Sequence, residues 1–186
     1  MKALQFHVSI PKFLAAKSLA AIFGNQVFFK GPVKTIKIVD LPEPRLPSSD
    51  WEKIKTTYCG FCGSDLNLIR LHDSPTASPF TSFPCVTGHE IAGEVVEAGS
   101  GADGWKAGDR VVVNPILGCD ARDIKPACRS CQSGRSGNCE NTAEGSLPPG
   151  MFLGITREMN GGFAPYLVAH KSQLYKVPQD VDLKAA

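Results

Sequence analysis

A mainly β fold with few short helices, carrying an irregular cysteine-rich lobe, is what this sequence predicts. Three observations point there. Apolar runs are short and bounded by turn residues, with 18 Gly and 14 Pro among 186 residues. No strand–helix alternation recurs, and Gly99, Gly101 and Gly104 mark turns between two predicted strands rather than a strand-to-helix phosphate loop, so a doubly wound dinucleotide-binding sheet is missing from this chain. Four of the seven cysteines fall between positions 119 and 139, in a stretch with little apolar periodicity.

The bulk numbers bound the rest. A chain of 186 residues makes one domain with a real core, so 1–186 is read as a single unit with its lobe at about 118–150. With 42% hydrophobic and 20% charged residues it is expected to fold. The formal net charge of +2, from scattered Lys and Arg, gives no footprint for nucleic acid or an anionic membrane. Residues 13–23 are too short to span a bilayer, are interrupted by Lys17 and lack a small-residue cleavage site. Seven cysteines would leave one unpaired in a secreted chain, whereas a cytoplasmic chain keeps thiols reduced for metal or core duty; the cytoplasmic reading is preferred.

Taken in order, residues 1–8 read as a strand. Residues 11–23 read as a helix, with Pro11 near its start and Gly24-Asn25 at its stop, packing Phe13, Ala16, Ala20 and Phe23 on the body. A strand over 33–39 leads into a proline-rich turn. Residues 51–58 alternate, with Ile54, Thr56 and Tyr58 on one face. A helix capped by Ser64 and carrying Leu66, Ile69 and Arg70 comes next, then a Ser-, Thr- and Pro-rich loop over 72–84. Strands are predicted over 91–98 and 111–113, the first with Gly93 allowing close backbone approach. Two more, over 163–168 and 173–177, close the chain.

Two places carry chemistry. Cys62-Gly63-Ser64-Asp65 and Gly88-His89-Glu90 together offer a thiolate, an imidazole and carboxylates, a mixed set that suits zinc with a position left open. In the lobe, Cys128 and Cys131 are spaced to present two sulfurs to one ion, and Cys139 lies eight residues further on. Cys119 is the natural fourth ligand, with Asp120 and Asp123 as weaker candidates. Cys59 and Cys85 read as small buried hydrophobes, and His7, His72 and His170 lack any partner pattern.

These motifs, with Gly88 through Val95, Gly108-Asp109-Arg110-Val111 and Gly161-Gly162-Phe163-Ala164, resemble the N-terminal, GroES-like catalytic domain of zinc-dependent medium-chain alcohol dehydrogenases. The resemblance covers about 33–178 and implies a partly open, GroES-like β-barrel. By it, Cys62 and His89 are catalytic zinc ligands, and Glu90 is the acidic residue beside the metal. Ser64 is the hydroxyl that bonds the substrate and starts a proton relay, and Asp65 orients His89. Cys119, Cys128, Cys131 and Cys139 form a structural zinc set. The implied activity is hydride transfer between a small alcohol, or its aldehyde or ketone, and NAD or NADP. The full-length enzyme is expected to be a homo-oligomer.

The sequence departs from the family pattern in four places. Lys125 stands where the first structural ligand is expected, Cys119 lying further upstream. Asn67 replaces a relay histidine found in several relatives. Residues 11–29 look like an insertion. The third catalytic ligand and the nucleotide-binding domain would lie beyond Ala186, so this stretch is expected to be inactive alone. The competing readings are a zinc-free quinone or enoyl reductase and a non-enzymatic GroES-like binding or assembly module.

Overall fold

The computed structural model describes residues 1–72 and 80–186. Residues 73–79, most of the predicted loop over 72–84, lie outside that description.

Two open antiparallel sheets carry the fold. The smaller joins β1 (Lys2–Phe6), β2 (Ile36–Asp40) and β4 (Cys85–Val86) in the order β2-β1-β4. The larger joins β3 (Trp51–Gly60), β5 (Glu90–Ala98), β6 (Arg110–Val113), β7 (Tyr166–His170) and β8 (Leu174–Lys176) in the order β7-β3-β5-β6-β8. Every named pairing is antiparallel, as expected of a chain without crossover helices. The expected mainly β architecture is present, as open sheets rather than a closed barrel. Among the described residues three α-helices accompany them: α1 (Ile10–Phe23), α2 (Gly63–Ile69) and α3 (Arg129–Gln132). No helix among the described residues is long and apolar enough to cross a membrane.

The main core lies on the larger sheet, where Trp51, Ile54, Val95, Val111 and Leu167 are buried together. The alternation predicted for β3 holds to Thr56 and then fails. Thr56 pairs with Gly93 and Tyr58 with Ala92, so Thr57 is an extra residue in the ladder. That bulge reverses the facing of the residues after it. Tyr58 is left exposed, and half-buried Cys59 packs on the core instead. Gly93 on β5 sits where a Cβ would collide with the Lys55 carbonyl, so only glycine permits this spacing.

A second core forms between β1, α1 and α2. Phe13, Ala16 and Ala20 of α1 face Phe6, Phe28, Leu68 and Leu71. Phe23 does not join them and is exposed. It lies only about 20° round the helix from buried Ala16, so its exposure comes from its place at the last residue of α1 rather than from its face. α2 begins two residues earlier than predicted, with Cys62 rather than Ser64 at the cap, and it buries Leu68 and Ile69 while Leu66 stays half-buried.

Candidate metal centres

Two groups of side chains among the described residues bring three or more donor atoms within 4.8 Å of one another. One is Cys62, His89 and Glu90; the other is Cys119, Cys128, Cys131 and Cys139.

The first group is assembled from two loops tied by one carboxylate. Asp65, 2% exposed, accepts the Cys62 amide on Oδ2 at 3.0 Å and the Gly88 amide on Oδ1 at 3.3 Å. The same Oδ1 lies 3.5 Å from His89 Nδ1, a distance at which the contact is electrostatic rather than a well-made hydrogen bond. Asp65 is the largest influence on His89 and pushes the imidazole up to about 9, against the burial that opposes it. His89 Nε2 faces the Ser64 hydroxyl at 3.3 Å. Hydrogen bonds from Ser64, then the neighbouring His89, hold the Cys62 thiol below its ordinary value.

The backbone behind this group makes room for it. Gly88 has φ 93°, a conformation L side chains rarely adopt, and a Cβ there would crowd Cys59 and Phe163. Gly161 donates to Val86 O and Gly162 to Gly88 O, both at 2.8 Å, while Phe163 donates to Thr87 O at 3.0 Å. The Gly161–Ala164 motif is therefore the backing strip of the His89 loop. Gly60, at the end of β3, leaves the space that the Glu90 carboxylate occupies. Glu90 itself is exposed.

The second group is more enclosed. Cys119 is buried, and its Sγ lies 3.7 Å from Cys139 Sγ. That is far beyond a disulfide bond and close to the edge, about 3.8 Å, of a tetrahedron of sulfurs around zinc. Amide donors point at the sulfurs. Cys128 N and Asn141 Nδ2 approach Cys119 Sγ at 3.3 and 3.4 Å, and Asn141 N approaches Cys139 Sγ at 3.4 Å. Cys128 is lowered to about 6, mainly by the Glu140 backbone amide, whereas burial pushes Cys131 and Cys139 up. The fit to a single thiophilic ion thus rests on spacing and on N–H groups suited to thiolate. Cys119 takes the fourth place in this group, and neither Asp120 nor Asp123 belongs to it.

The lobe also has a support that the sequence did not reveal. Arg122 is fully buried and spreads its guanidinium over five carbonyls: Leu117 at 3.1 Å, Glu144 at 3.0 Å, Leu147 at 3.3 Å, Pro148 at 3.2 Å, and Gly150. Nothing in the local string Asp-Ala-Arg-Asp distinguishes it from a surface arginine. Asn141 and the Glu140 amide are equally invisible in the sequence, since their roles depend on how the loop returns to Cys119.

The remaining cysteines, with His7 and His170, take packing roles, and His72 is exposed. Cys85 is buried and Cys59 half-buried, and burial pushes both thiols up to about 12. His170 Nδ1 bonds Ser172 Oγ at 2.8 Å, and His7 lies between Thr35 O and Lys12 Nζ.

Residues 48–179 match the family model described as the alcohol dehydrogenase GroES-like domain. A sorbitol dehydrogenase from Halalkalibacterium halodurans is 33% identical over 149 residues, 80% of this chain and 37% of that protein. An L-threonine 3-dehydrogenase from Shewanella is 35% identical over 149 residues, 80% of this chain and 38% of its own length. The crystal structure of an alcohol dehydrogenase from E. coli CFT073 complexed with NADH superimposes with a TM-score of 0.67 at 25% identity, covering 100% of this chain and 41% of that one. This chain therefore spans well under half the length of the proteins it matches.

Proposed function

Because this chain belongs to the alcohol dehydrogenase GroES-like domain family, we propose that its 186 residues form the zinc-binding catalytic domain of an NAD(P)-dependent alcohol dehydrogenase. One observation carries the reading. A three-donor group of thiol, imidazole and carboxylate stands beside a cavity that Ser64 and His89 help to line, apart from a four-sulfur group in the lobe. A catalytic zinc needs an open position, and a structural zinc does not.

In this reading Cys62 and His89 hold the catalytic ion, with Glu90 beside it, and Cys119, Cys128, Cys131 and Cys139 hold the structural one. Zinc, when bound, supplies a Lewis acid that polarises the oxygen of an alcohol or carbonyl. The chain's own residues do the rest. Asp65 holds His89 in one orientation and fixes the Cys62 and Gly88 loops against each other. Ser64 Oγ takes the substrate's hydroxyl proton and passes it outward. The apolar cavity keeps bulk water from the reacting carbon. Hydride needs a nicotinamide, and the described strands pair antiparallel, with no parallel β-α-β unit to bind one, so in this reading that site lies outside the described residues. A cytoplasmic setting, a small alcohol, aldehyde or ketone as substrate, and a homo-oligomeric enzyme complete the proposal. A zinc-free reductase or a binding module would have no use for two such donor sets.

The test is metal analysis of the purified full-length protein alongside NAD(P)-dependent alcohol oxidation. Zinc in the protein and loss of oxidation on chelation are expected. A protein without zinc, or one whose oxidation survives complete chelation, ends the reading.

A further inference from the structure

The insertion over 11–29 sends one residue, Phe13, to the cavity beside Ser64 and His89. This cavity has a volume of about 560 Å³, within the range of small-molecule sites. Ile10 and Phe13 of α1, with Val8 and Ser9 just before them, form one of its walls. We propose that α1 makes this a pocket for apolar alcohols and carbonyls, with an alkyl or aryl group on the reacting carbon, and excludes polyols and amino-alcohols. The inference rests on the dehydrogenase reading above and names the substrate class of that site. It sets the chain apart from two relatives whose names specify sorbitol and threonine.

The chemistry of the walls favours such a substrate. Phe6, Phe13, Leu68, Phe83 and Phe152 give the described lining its character. Its ionisable groups are Asp65 and His89 alone, and both are committed. Asp65 accepts two backbone amides, and His89 lies between Asp65 and Ser64. Beyond them the described lining offers the hydroxyls of Ser9, Ser64 and Thr81 as polar side chains. A polyol carries a hydroxyl on every carbon, and each one left unpaired in an apolar site counts against binding. An alkyl chain gains instead, roughly fourfold for each buried methylene.

The wall is also held in place. Phe13 N donates to Ser9 O at 2.8 Å in the first turn of α1, and the Phe13 ring packs with Phe6 and Leu68. The one charge in that turn, Lys12, bonds His7 Nε2 at 2.7 Å and takes no part in the described lining. Ile10 stands at the rim, 79% exposed, where a substrate tail would pass.

The test compares kcat/KM of the full-length enzyme for ethanol, 1-hexanol, benzyl alcohol, sorbitol and L-threonine. Hexanol and benzyl alcohol should exceed sorbitol and threonine by at least about 100-fold. Phe13→Ala should lower kcat/KM for hexanol about tenfold more than for ethanol, chiefly through KM. Ile10→Ser, at an exposed position that folding does not depend on, should cost hexanol about threefold. Sorbitol or threonine turned over as well as hexanol would overturn the proposal. So would Phe13 and Ile10 variants that leave the hexanol-to-ethanol ratio unchanged. If no alcohol is oxidised at all, the dehydrogenase reading fails, and calorimetric titration with 1-hexanol and with sorbitol decides the pocket separately. Hexanol binding that weakens in Ile10→Ser, with none for sorbitol, upholds the apolar wall; absent hexanol binding or equal sorbitol binding ends it.

Discussion

In the lobe, four like donors come from within 21 residues of sequence, receive N–H groups from their own loop, and sit over a buried arginine. In the Cys62–His89–Glu90 group, three unlike donors come from two loops, one of them exposed, and the space beside them is a cavity. Both groups bring their donors within 4.8 Å of one another. What differs is where the remaining coordination can go: inward to another cysteine, or outward to a reactant. Closure of that kind serves stability and openness serves chemistry, and the contrast is visible from surroundings rather than from ligand count.

The sharpest way to break this contrast is to remove one sulfur from each group in the full-length protein. Cys62→Ser should abolish alcohol oxidation while moving the melting temperature little. Cys128→Ser should cost on the order of 3 kcal/mol, or roughly 6–12 °C, by scanning calorimetry. Equal thermal effects would erase the distinction between the groups. A smaller effect is expected at the carboxylate joining the two loops. Asp65→Ala should reduce zinc retention or turnover at the open site by about 10–100-fold, leaving the lobe's ion in place by native mass spectrometry. Loss of both ions together would show that the groups are not independent.

The smallest effect tests a residue outside both groups. Glu52 is fully buried on β3, with neither carboxylate oxygen hydrogen-bonded. Burial raises its carboxyl to about 7 from 4.5, Lys171 opposing and Asp50 adding to the rise. The native state therefore holds this proton more tightly than the unfolded chain does. Its contribution to stability is complete below about pH 4.5 and is lost as pH rises through about 7. Glu52→Gln should flatten that decline and raise the melting temperature above pH 7 by about 2–4 °C, with no gain at pH 4 and no change in metal content. A melting curve that keeps the wild-type pH slope would remove Glu52 as its source.

Much of this was legible in the sequence because short motifs encode local geometry. The predicted strands over 91–98 and 111–113 match β5 and β6 within a residue or so, and the cysteine spacing marks the lobe. Misplaced features depend on events that leave no local pattern. One extra residue, Thr57, turns Tyr58 outward. The cap of α2 falls on Cys62 because Asp65 reaches back to its amide. Glu52 and Arg122 are buried although their types favour the surface, and only the returning chain shows what surrounds them. The insertion over 11–29 could be seen but not interpreted, since its contact with the cavity arises from residues far apart in sequence.

The five carbonyls gathered by Arg122 bear on when the lobe acquires its ion. A loop shaped only by metal must wait, unstructured, for the ion to fold it. Here a permanent cation already draws Leu117, Glu144, Leu147, Pro148 and Gly150 together. In the proposed reading, zinc is then a finishing step on a lobe that its own arginine already outlines. On that reading, protein kept from zinc should hold the lobe's outline and refill rather than unfold.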